Sequence, residues 1–217
     1  MASMREIKHR IKSVKETRQI TKAMKLISAA KLKKARQQLD ATLPYFDKVK
    51  ATMADILSHS GSVEHPFFDL RHEKSGKNKG YVIITGDKGL AGAYNHNITK
   101  LAEETISDDS SSLLFIAGNL GRDYFAKKHY NVYPDFDYPV QNPTVYRARE
   151  ISELVIEMFK NGTLDEVYLI FTQLVTSLSM EPVLMKLLPL ELESLQKELR
   201  LNQDIVGHID EDIVYEP

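Results

Sequence analysis

A chain of 217 residues, 42% of them hydrophobic, has the length for one ordinary domain with an appendage or for two small domains, and the apolar content for a core. It contains no cysteine, which excludes disulfide staples, thiolate metal sites, a catalytic thiol and a thiol redox switch. The net charge of −1 conceals a split: residues 1–36 carry twelve Lys and Arg against two Glu, so the remainder is strongly acidic, as when a basic segment faces an acidic partner or a polyanion.

The start, MASMREIKHRI, lacks the apolar run of a secretory signal, and no window approaches 18 uninterrupted apolar residues, so neither a leader nor a membrane span is predicted. Residues 4–58 hold no glycine and one proline, and are rich in Ala, Lys, Leu, Gln and Met. That composition predicts a single helix about 80 Å long, far longer than a globular domain needs. Its second half carries a coiled-coil seam at steps of three and four: Leu32, Ala35, Leu39, Thr42, Phe46, Val49, Met53 and Ile56. Pro44 is expected to bend this helix without ending it.

Gly61 breaks the pattern, and residues 61–80 read as a loop or hairpin-like connection. Strand signals follow at 80–85 (GYVIIT) and 112–118 (SLLFIAG), with a weaker one at 132–136. Helical patterns cover 90–106, 121–129 and 145–159, and two further strands, 166–175 and 183–190, are joined by a turn. Alternating strand and helix predicts a small α/β domain with a mainly parallel sheet. The organisation read from this is a helical segment 1–60, a linker 61–79, a Rossmann-like α/β domain 80–190 and a charged tail 191–217.

The residues offer little foothold for catalysis. Residues 85–95, TGDKGLAGAYN, place Gly86, Gly89 and Gly92 between a strand and a helix, where a dinucleotide's pyrophosphate binds in other proteins. The steps are three and three where the fingerprint needs two and three, and no acidic ribose ligand ends the next strand. Glycines that permit a tight crossing under another element are the better reading. The phosphate loop is also wanting: before Lys77, Arg71 stands where its first glycine belongs, and Asn78 replaces the Ser or Thr. The seven histidines form no metal-ligand spacing, and no Gly-x-Ser-x-Gly elbow exists. No cofactor and no metal are expected.

The sharpest signal is residues 12–35, KSVKETRQITKAMKLISAAKLKKA, whose charge is nearly all of one sign, so that i,i+4 pairing is not its purpose. Such a rod could grip nucleic acid, lie on a membrane or insert into another protein. A basic region followed by a zipper-like seam has the form of a leucine-zipper DNA grip, although Pro44 and several seam residues weaken it. A membrane-surface helix would carry large apolar residues along one face, with Trp or Phe, and this stretch does not.

Residues 5–35, REIKHRIKSVKETRQITKAMKLISAAKLKKA, closely resemble the start of the gamma subunit of F-type ATP synthases. Residues 84–98, ITGDKGLAGAYNHNI, are similar to that family's strand–loop–helix signature, in which a cysteine often replaces Ala91. Leu188–Pro189 and the closing Tyr215-Glu216-Pro217 also fit, so the likeness spans the chain. It implies a non-catalytic rotor subunit: N- and C-terminal helices form an antiparallel coiled-coil shaft within a ring of alternating catalytic (beta) and non-catalytic (alpha) subunits. A Rossmann-like foot, with no nucleotide site, contacts the epsilon subunit and the ion-carrying membrane ring of c subunits. The resemblance implies that Lys22, Met24, Lys25, Lys31, Lys33 and Lys34 face acidic torque-bearing loops of the head, and that Asp87 and Lys88 make a further contact with a catalytic subunit. It implies that Ile213 and Tyr215 lie in the foot near the ring. The implied place is peripheral, on the cytoplasmic side of a bacterial membrane, without insertion into it and without nucleic acid. The family's second shaft helix would begin where this sequence stops, at Pro217.

Overall fold

The computed structural model describes residues 3–59, 65–68, 77–106, 111–176 and 179–191, and divides into two compact units, Met1–Ile56 and Leu57–Pro217. Unit one is helix α1, Met4–His59, 56 residues without interruption. It starts on a capping box. The Ser3 N–H donates to the Glu6 carboxylate at 2.8 Å, and the Glu6 N–H donates back to the Ser3 hydroxyl at 3.4 Å. Pro44 lies inside the helix, which runs on through the lost hydrogen bond. The seam residues Leu32, Leu39, Phe46, Val49 and Ile56 stay exposed.

The second unit holds a four-stranded sheet in the order β2-β1-β3-β4, flanked by helices: an α/β fold. Its strands are β1 (Lys79–Ile84), β2 (Leu113–Ala117), β3 (Glu166–Leu174) and β4 (Met180–Leu188). The helices are α2 (Tyr94–Ile106), α3 (Asn119–Lys127) and α4 (Val145–Lys160). β1 runs parallel to both β2 and β3, whereas β4 is antiparallel to β3. Few residues separate β3 from β4, too few for the crossover a parallel partner needs.

Alternation along β1 explains its nearly continuous apolar run: both faces are covered. Tyr81 and Ile83 point into a layer with Ile98, Ala102 and Ile106 of α2 and Phe125 of α3. Val82 points the other way, to Val155 and Phe159 of α4, with Phe115, Phe136 and Val167.

Three expectations are corrected. The weak strand at 132–136 reduces to one parallel bridge from Val132 to Leu114, because the chain turns at Pro134. The helix expected from residue 90 starts at Tyr94, since Leu90 and Gly92 take positive φ (62° and 59°), which no helix continues. Of the 86/89/92 glycines only Gly86 is closely packed, with a Cβ there 3.1 Å from the Asn95 side-chain oxygen, whereas a Cβ on Gly89 or Gly92 meets nothing within 4 Å. It is Gly118 and Gly121 that cross closely, over the wholly buried Thr85 at the end of β1. The Thr85 hydroxyl lies 3.1 and 3.2 Å from the carbonyls of Ala117 and Gly118, and accepts the Gly121 N–H at 3.0 Å.

The turn at Pro66–Phe68 meets the residues that follow β4. Phe67, in a 3-10 turn at Pro66–Phe68, packs its ring on Phe159 with centroids 6.4 Å apart. Its carbonyl accepts the N–H of Leu190 at 2.6 Å.

Candidate functional site

Three groups of residues could act on something outside the fold: the lysines of α1, the loop after β1 and a cluster of titratable groups on β3 and β4.

Lys22, Met24, Lys25, Lys31, Lys33 and Lys34 all stand exposed on α1. At about 100° per residue, these six positions point in directions that surround the helix instead of sharing one face. A duplex groove or a bilayer touches one side of a rod; a sleeve touches every side. The distribution therefore fits enclosure better than lateral docking.

The loop from Gly86 to Ala93 is braced at both ends. The Asn95 side chain accepts the Gly86 N–H at 2.7 Å, and the Gly86 carbonyl accepts the Leu120 N–H at 3.2 Å. The Asp87 carboxylate accepts the backbone N–H groups of Asn119 at 3.4 Å, Val140 at 3.1 Å and Gln141 at 3.1 Å. One of these amides opens α3, and the carboxylate there complements the helix N-terminus. From this brace Lys88 projects into solvent, and Leu90, at φ 62°, is 97% exposed. A leucine held in the left-handed region costs about 1–2 kcal/mol. Asp87 and Lys88 are singled out on this loop only by the resemblance. Nothing in the sequence marked Leu90, which reads there as the first turn of a helix.

On the sheet, the buried Glu166 accepts the Tyr168 hydroxyl at 2.8 Å and the Lys77 ammonium at 3.1 Å, with Lys186 at 3.7 Å. Burial pushes its carboxyl up, but the Tyr168 and Lys77 hydrogen bonds and the two lysine charges outweigh this and hold it below the usual 4.5. Burial, with the neighbouring Glu166, raises the Tyr168 hydroxyl. Lys186 also reaches Glu191. Each acid is matched by a base, so the cluster ties strands together and is no proton-transfer pair. A carboxyl depressed on folding contributes stability that is present above its unfolded pKa and lost as pH falls through the folded one. Glu166→Gln is therefore expected to cost about 1–3 kcal/mol at neutral pH and to flatten the loss of domain stability below about pH 4.5, followed by urea unfolding from pH 7 to pH 3.

Among the described residues no three His, Asp or Glu converge as a metal site, and no helix is long and apolar enough to cross a membrane. Ile213 and Tyr215 lie outside the described residues.

The family model described as ATP synthase matches residues 3–217. The chain is similar to the ATP synthase gamma chain of Acetivibrio thermocellus, 54% identical over 217 residues, which is all of this chain and 74% of that relative. The gamma chain of Ruminiclostridium cellulolyticum is 54% identical over 216 residues, 99% of this chain and 72% of that one. Among solved structures, a central stalk and c-ring assembly of the Tetrahymena thermophila mitochondrial ATP synthase aligns with a TM-score of 0.47 and 22% identity, covering 86% of this chain and 88% of that one. A match over nearly the whole length, at such identity, leaves the basic rod and the braced loop one common explanation: the chain belongs to the ATP synthase gamma-chain family.

Proposed function

We infer that this protein works as the central stalk of an F-type ATP synthase, a non-catalytic subunit whose rotation couples ion flow through the membrane ring to ATP synthesis or hydrolysis in the head. The observation that carries the reading is α1: a 56-residue helix carrying exposed lysines of one sign on every side. A shaft must attract its sleeve at each angle without locking at any. Exposed charge pairs of about 0–1 kcal/mol each meet that requirement.

Lys22, Met24, Lys25, Lys31, Lys33 and Lys34 then face acidic loops of the alternating catalytic (beta) and non-catalytic (alpha) subunits. Asp87 and Lys88 belong to the loop that makes the further contact with a catalytic subunit. The α/β unit forms the foot, next to the epsilon subunit and the c ring, with Ile213 and Tyr215 toward that ring. The subunit is peripheral, on the cytoplasmic side of a bacterial membrane. The DNA-grip alternative gains nothing from the family match, and the ring-like spread of the lysines speaks against it.

The test is assembly. Replacing Lys22, Lys25, Lys31 and Lys33 together by Gln removes four charges from the rod. With purified head subunits at low ionic strength, the association rate is expected to fall by about tenfold or more, and its salt dependence to flatten. An unchanged rate and salt slope would mean that these lysines are merely solvated.

A further inference from the structure

We propose that Asn161 is a site of slow self-modification, at which the Gly162 backbone nitrogen displaces the side-chain nitrogen as ammonia, and that the cap at the end of α4 sets the rate by holding the two groups apart. The sequence contains one Asn-Gly pair, and it falls here.

One geometry makes the pair both necessary and reactive. α4 ends in a left-handed cap: Asn161 is its C-cap at φ −81° and ψ 0°, and Gly162 follows at φ 80°, where a side chain would be strained. The Gly162 N–H donates to the Phe159 carbonyl at 3.3 Å and the Leu164 N–H to the Met158 carbonyl at 3.0 Å, which satisfies two of the last carbonyls of the helix. The cap therefore calls for glycine, and glycine leaves the nitrogen next to the asparagine unhindered, with nothing within 4 Å of where its Cβ would stand. Asn161, Gly162 and Thr163 are all exposed, so water and hydroxide reach them.

In the closed cap the reaction is held back at three points. At ψ 0° the Gly162 nitrogen lies on the side of the Asn161 N–H, turned away from the carboxamide carbon it must reach. Its own proton is engaged by Phe159. The Asn161 Oδ1 accepts the Thr163 N–H at 3.0 Å and the Thr163 hydroxyl at 2.7 Å, which pin the carboxamide. Opening of these three exposed residues frees the pair while the core keeps its place. The deprotonated nitrogen then adds to Cγ, the bond from Cγ to Nδ2 breaks and ammonia leaves. One water opens the cyclic imide, giving aspartate linked through either its α-carbonyl or its side-chain carbonyl; no oxidant or cofactor enters. The side-chain-linked product adds a methylene to the main chain and displaces Leu164 from the layer it shares with Val82 and Phe159. Both products put a carboxylate at the C-terminal end of α4, where the helix dipole opposes it.

Ageing the full chain at mildly alkaline pH tests this, read by the mass of the peptide that carries residue 161 and by labelling with isoaspartyl methyltransferase. The folded chain is expected to convert at Asn161, about tenfold to a thousandfold more slowly than a synthetic peptide of residues 157–167. Thr163→Val removes the hydroxyl and keeps the backbone N–H. It is expected to speed conversion about fivefold, more than any change in the urea midpoint of the α/β unit accounts for. Urea well below the unfolding transition should leave the rate unchanged, because a local opening exposes little surface. Asn161→Gln should abolish the labelling. Conversion as fast as in the peptide, no conversion while the peptide is consumed, or an unaltered rate for Thr163→Val would each overturn the assignment. So would labelling that survives Asn161→Gln, or a rate that climbs with urea in step with global unfolding.

Discussion

Gly118→Ala is expected to destabilise the α/β unit by at least about 3 kcal/mol, enough to leave much of it unfolded at 37 °C. Two costs add. A Cβ built on Gly118 lies 2.3 Å from the Thr85 carbonyl oxygen, a backbone atom of a wholly buried residue directly after β1 that cannot readily move aside. The residue also sits at φ 97°, outside what an L-residue adopts without strain. Gly121→Ala meets only the Thr85 side chain, at 2.5 Å, and lies in helical backbone, so a smaller loss is expected. Gly89→Ala, in the glycine-rich loop that draws the eye in the sequence, meets nothing within 4 Å and should change stability by less than about 0.5 kcal/mol. Urea unfolding of the three variants checks the order, and equal losses at Gly89 and Gly118 would refute it.

The largest contrast is expected in hydrogen exchange on the isolated chain. Amides of β1 and β3 lie in the middle of the sheet between two buried layers and should exchange only through global opening, with protection of about ten-thousandfold or more. Amides across residues 5–46 of α1 belong to a helix whose apolar residues remain in water. Helical stability in proteins comes chiefly from packing an apolar face, and here Leu32, Leu39 and Phe46 pack against too little to supply it. These amides should exchange orders of magnitude faster, with protection rising if the chain self-associates through the seam. Uniform protection of both units at micromolar concentration would show that α1 is stabilised by something other than its seam.

How far the sequence discloses all this depends on the range of the interactions. α1 is legible to within a residue of its ends because absent glycine and dense helix formers are local properties. The apolar run at β1 is legible for the same reason. The sense of β4 follows from a turn too short for a crossover, and the remaining pairs are parallel, as the expectation of a mainly parallel sheet with its last two strands joined by a turn has it. The helix expected from residue 90 starts four residues later because Leu90 and Gly92 take positive φ, which Leu90 in particular does not advertise in the sequence. The Asp87 contacts to Val140 and Gln141 could not be found either, because they join residues more than fifty apart in sequence. The basic character of the rod, being a matter of charge count, is legible directly, whereas the choice of Lys22, Lys25, Lys31, Lys33 and Lys34 rests on the resemblance. Their encirclement of the rod needed only the helical period, but became meaningful once the helix proved continuous.

The contact of Phe67 with Leu190 gives the α/β unit a neck. Residues 67 and 190 are joined by one 2.6 Å hydrogen bond, and the Phe67 ring packs on Phe159 beside it. A pull applied at residues 67 and 190 would load this hydrogen bond and the ring contact before it reached the ladders of the sheet, so the two contacts act as a first, sacrificial tie of about 1 kcal/mol each on the loop of chain between them.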